Sequence, residues 1–272
     1  MCMEATGSYG KSFADFLYNN NHEVSVVNPS CISAFARSKL SSHKIDSMII
    51  AEYASKNDLL PYVSKSQVLQ ELQDLYRCSQ NLKEQYVQTQ NYLENKNHLS
   101  KSVCSSYNRL AKHIMQEIKN IELEIDNLLT DNTQLKRQAD NIQTIPGIGK
   151  ITAVAILAES PDLESFNSAR QLAAYAGLTP KHKTSGISLK GKTSISKIGF
   201  SNLRKALYFP AIVAKTYNPL FKEFTQKLSS KGKHTKVIIV AIMRKLLYIV
   251  FGVIKNNTLN LIQIYYLTVE TV

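Results

Sequence analysis

The 272 residues allow one large domain or two of ordinary size, and 44% hydrophobic with 20% charged residues excludes a chain disordered throughout. Its 33 Lys and Arg against 21 Asp and Glu give a net charge of +12, and the excess is local: residues 1–142 carry 15 basic and 16 acidic side chains, residues 143–255 carry 18 and 4, and the rest only Glu270. A block of that sign attracts polyanions, nucleic acid foremost among them.

Taken in chain order, the opening residues read as the end of a strand, a Gly-containing turn and a helix over about 11–20. The alternating run at residues 23–27, closed by Asn28 and Pro29, reads as a second strand. A helix carrying Ile45, Ile49, Ile50 and Tyr53 follows, so the pattern is α/β. From Val68 the apolar or small positions are Val68, Leu72, Leu75, Ser79, Leu82 and Tyr86, spaced 4, 3, 4, 3 and 4, which is a heptad seam. Leu110, Ile114, Ile118, Ile121, Ile125 and Leu128 repeat the habit after a polar stretch at 91–102. Two long helices are therefore expected, as an antiparallel hairpin or an intermolecular coiled coil. Beyond Asn141 come helices over about 152–158, 168–176, 202–216, 219–228 and 235–255. A polar segment rich in Gly, Ser and Lys, residues 181–197, reads as loops or a hairpin.

Cys2, Cys31, Cys78 and Cys104 form no C-x-x-C pair, and the histidines have no metal-type spacing, so reduced thiols without structural zinc are expected. The start has neither a basic nor an apolar signal region, and the apolar stretch 237–254 is broken by Arg244 and Lys245. Two central cations are costly in lipid, so this stretch is expected to be a buried helix of a cytoplasmic protein with no membrane contact.

Three features bear on chemistry. Ile145-Pro-Gly-Ile-Gly149, followed by Lys150, resembles a helix-hairpin-helix turn, in which Gly147 and Gly149 permit a tight bend whose N–H groups face a phosphate. The segment 179–199 gathers hydroxyls, glycines and the cations Lys181, Lys183, Lys190, Lys192 and Lys197, with Arg204 close behind. A hydroxyl nucleophile needs such cations against developing phosphate charge, and Ser185 beside Gly186 is one candidate among Thr184, Ser188, Thr193, Ser194 and Ser196. Glu4 at a strand end and Asp46 near a helix start are placed to face one crevice, as metal-assisted phosphodiester chemistry requires of carboxylates.

Met3-Glu-Ala-Thr-Gly-Ser-Tyr9, Lys44-Ile-Asp46, Ile145-Pro-Gly-Ile-Gly149, Ala173-Ala-Tyr-Ala-Gly-Leu-Thr-Pro180, Ser185-Gly186, Ile195-Ser-Lys-Ile-Gly199, Leu203-Arg-Lys-Ala-Leu207 and Arg244-Lys-Leu-Leu247 stand in an order that resembles the DEDD-type insertion-sequence transposases of the insertion-sequence 110 family, relatives of the pilin-gene invertases. The resemblance covers about residues 1–255. It implies an α/β plus α architecture: a partial RuvC-like (RNase H-like) domain over 1–60 lacking its first strands, coiled-coil helices over 61–141, a mostly helical C-terminal transposase domain over 142–257, and an atypical tail over 258–272. It implies an insertion-sequence transposase that recombines DNA, with Glu4 and Asp46 as the second and fourth acidic ligands of Mg²⁺ and Ser185, or Thr184, as the nucleophile. DNA, a structured guide RNA and further copies of the chain are the implied partners. His43 stands where the family has its third acid, and the strand bearing the first acid is missing. A truncated, catalytically impaired enzyme is accordingly expected, the alternative being a non-catalytic nucleic-acid-binding coiled-coil protein.

Overall fold

The computed structural model describes residues 1–38, 47–59, 61–94, 99–181, 184–185, 189–190, 194–195 and 199–257, with the backbone alone for 8, 181, 184–185, 189–190 and 194. The chain opens with β1 (Cys2–Glu4), α1 (Gly7–Asn19) and β2 (Ser25–Val27). The strands pair in parallel, Cys2 opposite Ser25 and Glu4 opposite Val27. Parallel neighbours need a crossover, and α1 supplies it, burying Ala14 and Leu17 against Val24 with Met3, Val26 and Tyr62 at the margin. The α/β reading therefore holds for this unit.

Helix α2 (Pro29–Ser38) begins at the proline that in the sequence reads only as the close of a strand. Proline lacks an N–H that the first helical turn would leave unpaired anyway, and the Asn28 carboxamide oxygen accepts from the Ser30 N–H at 2.9 Å. Ile32 and Ala36, one turn apart, are buried, whereas α3 (Ser47–Lys56) buries no residue and meets α2 through an edge-to-face contact of Phe35 with Tyr53 at 5.4 Å.

The two long helices are α4 (Gln67–Glu94) and α5 (Lys101–Asp131), packed on each other within the chain. They run antiparallel: Tyr92 stacks on Tyr107 at 5.4 Å towards the tip, and Lys83 pairs with Glu122 at 2.8 Å further down. Leu72, Ser79, Thr89 and Leu93 are buried on α4, and Ala111, Ile114, Ile118, Ile125 and Leu129 on α5. Leu110 departs from its expected place in the seam and is 46% exposed. Counting back from Ile114 in steps of three and four reaches Ala111, Tyr107 and Cys104, and the small Ala111 lets α4 approach where leucine would hold it off.

Helix α6 (Thr133–Gln143) restarts after Asn132, whose side chain accepts from the Leu135 N–H at 2.9 Å. The remaining helices are α7 (Lys150–Glu159), α8 (Ala169–Tyr175), α9 (Ser201–Tyr217), α10 (Pro219–Ser230) and α11 (Thr235–Asn256). Among the described residues α11 alone is long and apolar enough to cross a membrane, and 67% of its apolar window is buried inside the protein against α9, α8 and α6. It is the central helix of the core. That core is continuous with the base of the helical hairpin, since Leu72, Ile125 and Leu129 join Ile142, Ile156, Leu207 and Leu246 in one cluster. The tail 258–272 lies outside the described residues.

The register of the seam is testable. Leu72 is fully buried in the main core, so Leu72→Ala should cost ~2–5 kcal/mol in a urea titration, while Leu110→Ala should stay within ~0.5 kcal/mol. Equal losses at the two positions would place the seam wrongly.

Candidate functional site

Ser185 sits in a β-hairpin. Strands β3 (Pro180–Lys181) and β6 (Ser194–Ile195) pair antiparallel, and inside them β4 (Thr184–Ser185) pairs with β5 (Leu189–Lys190), Ser185 opposite Leu189. The two ladders nest, so the described residues of this segment follow the hairpin alternative.

Its base is clamped from three sides. Gly199, at φ +149°, lies so close to Tyr175 O and Gly177 N that any Cβ there would collide with backbone, so only glycine closes the hairpin at this point. The Phe200 N–H donates to Tyr175 O at 3.0 Å and the two rings stack at 4.3 Å. Arg204, in the first turn of α9, donates from Nη1 to Ala176 O at 2.9 Å and Gly199 O at 3.1 Å, bridging the two ends of the segment. One nitrogen of this expected phosphate ligand thus holds backbone instead.

Beneath the base lies a buried polar group of residues that no motif announced. The Glu159 carboxylate is 0% exposed and accepts from Arg77 Nε and Nη2, each at 2.8 Å, in a two-pronged pair between α7 and α4. Asn202 Nδ2 donates to it at 3.4 Å, and the Tyr175 hydroxyl donates to Glu159 O at 3.3 Å. One residue earlier, Ala158 O accepts from Lys65 Nζ at 2.7 Å and Gln73 Nε2 at 2.8 Å. An anion at the negative end of a helix needs cations, and Arg77 and Lys65 supply them. Lys65 also ends the link from the N-terminal unit, where Tyr62 and Ser64 both donate to Asp15 and Lys11 donates to Gln70 of α4.

The Pro-Gly-Ile-Gly turn joins α6 to α7. Gly147, at φ +102°, presses on α9, where a Cβ would stand 3.0 Å from the Ala214 Cβ, so this glycine serves close packing. Gly149 and Lys150 are exposed at the start of α7, and Lys150 Nζ pairs with Asp126 of α5 at 2.5 Å. Glu4 lines a crevice of about 850 Å³ together with Thr6, Ser47 and Asp58. Nothing in the sequence neighbourhood of Asp58 marks it as a candidate. Asp46, His43, Lys183, Lys192 and Lys197 lie outside the described residues, and Lys181 and Lys190 are placed by backbone only.

Residues 139–226 match the model of the Transposase IS116/IS110/IS902 family, and residues 1–103 match a second, DEDD-type model described as a transposase. The pilin gene-inverting protein of Moraxella bovis is 36% identical over 261 residues, covering 94% of this chain and 80% of that protein. The chain belongs to this transposase family. A second pilin gene-inverting protein, from Moraxella lacunata, is equally similar, and the transposase for insertion sequence element IS1328 of Yersinia enterocolitica is 24% identical over 87% of this chain and 78% of its own length. As a family transposase the chain acts on DNA, and the DEDD type is associated with divalent metal.

The fit to such a metal is partial. Carboxylate oxygens are the right donors for a hard cation, and Glu4 and Asp58 offer them on one crevice, but among the described residues no three His, Cys, Asp or Glu side chains gather tightly enough to hold an ion.

The buried polar group has a pH signature. Burial pushes the Lys65 ammonium from its ordinary 10.5 down to about 8, so above pH 8 the unfolded chain binds the extra proton and stability rises with pH. Tyr62 and Tyr175 are shifted upward, mainly by burial, so above their ordinary value of 10 the folded chain holds the extra protons and stability falls. Stability should therefore climb from pH 8 to about 10 and then decline. Lys65→Met should remove the climb, and Gln73 keeps Ala158 O satisfied in that variant. A variant that keeps the climb would show that Lys65 is not its source.

Proposed function

We propose that this transposase is a site-specific DNA recombinase that forms a covalent intermediate through Ser185. The observation that carries the reading is the 36% identity, over 94% of the chain, to a protein named for inverting a pilin gene. Inversion requires strands to be cut and rejoined at defined positions, and a protein–DNA linkage conserves the phosphodiester energy between those events. In the step we assign, the Ser185 oxygen attacks a backbone phosphorus, a serine O–P bond forms, the P–O bond to the departing sugar oxygen breaks, and the hydroxyl proton passes to that oxygen. Two observations support this role: Ser185 sits on a short β-hairpin with a clamped base, and that segment carries lysines suited to stabilising the charge that builds on phosphate.

The nucleic-acid surface is assigned to residues 143–255, where the cationic excess resides, with Gly149, Lys150 and the lysines at 181, 183, 190, 192 and 197 as phosphate contacts. Glu4 and Asp46 are assigned to Mg²⁺ in a RuvC-like unit, with Asp58 on the same crevice. A structured guide RNA and self-association complete the proposal, since recombination brings four DNA ends together.

The test is to incubate the full chain with Mg²⁺, the element's own junction DNA and the RNA transcribed from the element. Impaired by His43 at the third acidic position, the chain should form little adduct that survives denaturation, His43→Asp should form more, and Ser185→Ala should abolish it while Thr184→Ala retains it. An adduct that persists in Ser185→Ala, or is as abundant in the chain as given as in His43→Asp, would overturn the assignment.

A further inference from the structure

The outward side of α9 does not look like the surface of an ordinary soluble helix. Leu203, Leu207, Ala211 and Ala214 face the core and are fully buried, while Phe209 is 73% exposed, Tyr217 76%, Val213 43% and Tyr208 39%, with Lys205 one turn before Phe209. Positions 205, 209, 213 and 217 recur every four residues, so they form one stripe. Tyr208 meets Phe209 edge to face at 5.8 Å and steadies that ring.

A second aromatic stripe, on α1, provides the comparison. Tyr9 is 90% exposed, Phe13 50% and Phe16 61%. Exposure and spacing are alike in the two, and charge distinguishes them. Residues 1–60 carry five basic and six acidic side chains, whereas residues 199–257 carry eleven basic side chains and the single acid Glu223. An apolar stripe in neutral surroundings suits a protein, while aromatic rings in a field of cations suit unpaired bases, whose faces stack on the rings as the phosphates meet the lysines.

We infer that the outer face of α9 binds single-stranded nucleic acid by stacking bases on Phe209 and Tyr217. The inference rests on the reading of the chain as a DNA recombinase and names the form of substrate this face takes. Phe209 and Tyr217 lie about 12 Å apart along the axis, so they serve separate bases. The position is useful: α9 begins six residues after Ile195, where Arg204 clamps the β-hairpin that bears Ser185. A strand laid along α9 is led towards that hairpin, and a stacking surface would hold bases that strand exchange has unpaired.

The test uses the full chain, a labelled single-stranded 20-mer and its duplex, followed by fluorescence anisotropy at fixed salt. Phe209→Ala and Tyr217→Ala should each weaken single-strand binding about tenfold and alter duplex binding less than twofold. Phe209→Tyr should bind as wild type, and Phe13→Ala, on the α1 stripe, should change neither. Unaltered single-strand affinity in both alanine variants would overturn the inference. So would a wild-type dimer that these variants dissociate in sedimentation with no change in binding, because the face would then belong to a second copy. Failure of the wild-type chain to bind either form of DNA would instead overturn the recombinase reading on which this inference rests.

Discussion

A carboxylate removed entirely from water sets the terms for this fold. Glu159 ends α7 with no exposed surface, at the helix end where an anion is least welcome, and it is tolerable only because Arg77 reaches it with two parallel hydrogen bonds. Such a pair contributes little net stability against an apolar substitute, yet removing one partner leaves a buried charge and costs about 3 kcal/mol or more. The pair therefore acts as a constraint on geometry. Arg77 belongs to the helical hairpin, Glu159 to the core, Asn202 to α9 and Tyr175 to the base of the β-hairpin, so four elements are held at one point.

The arrangement explains how separate parts of a recombinase are kept in register. The N-terminal unit is tied to α4 by Lys11 and Gln70 and to α7 by Lys65, while Asp15 gathers the linker through Tyr62 and Ser64. The base of the β-hairpin rests on the same buried residues through Tyr175 and Phe200. The helical hairpin and the segment that carries Ser185 thus share one set of buried contacts. Lys65 is the weak element of the joint, since its ammonium is held in a setting that favours the neutral amine.

What could be read from the sequence follows the range of the forces involved. Heptad spacing announced α4 and α5 because their seam is a local repeat, and it slipped at Leu110 because an apolar residue adjacent to a seam position mimics it when the true occupant is alanine. Pro29 conceals helix α2 in the sequence, because proline opens helices as readily as it stops them. The sequence does not distinguish loop from β-hairpin here because the strands are two residues long, too short for alternation to register. Arg77 and Glu159 are 82 positions apart and each is an ordinary charged residue in its own helix; only packing brings them together. The motif residues fared unevenly for the same reason: Gly147 turned inward to α9 and Arg204 took backbone carbonyls, roles that depend on neighbours distant in sequence.

If the Arg77–Glu159 pair holds the base of the β-hairpin, hydrogen–deuterium exchange in the folded full chain should report it at the Phe200 amide, which is bonded to Tyr175 O. Arg77→Met should speed exchange there at least about tenfold, the equivalent of 1.4 kcal/mol of local opening, while amides around Ile114 in α5 keep their wild-type rates. Lys83→Gln, which breaks a second ion pair of α4, should leave Phe200 unchanged. Wild-type exchange at Phe200 in Arg77→Met, or an equal acceleration throughout the chain, would show that the pair does not hold the hairpin base.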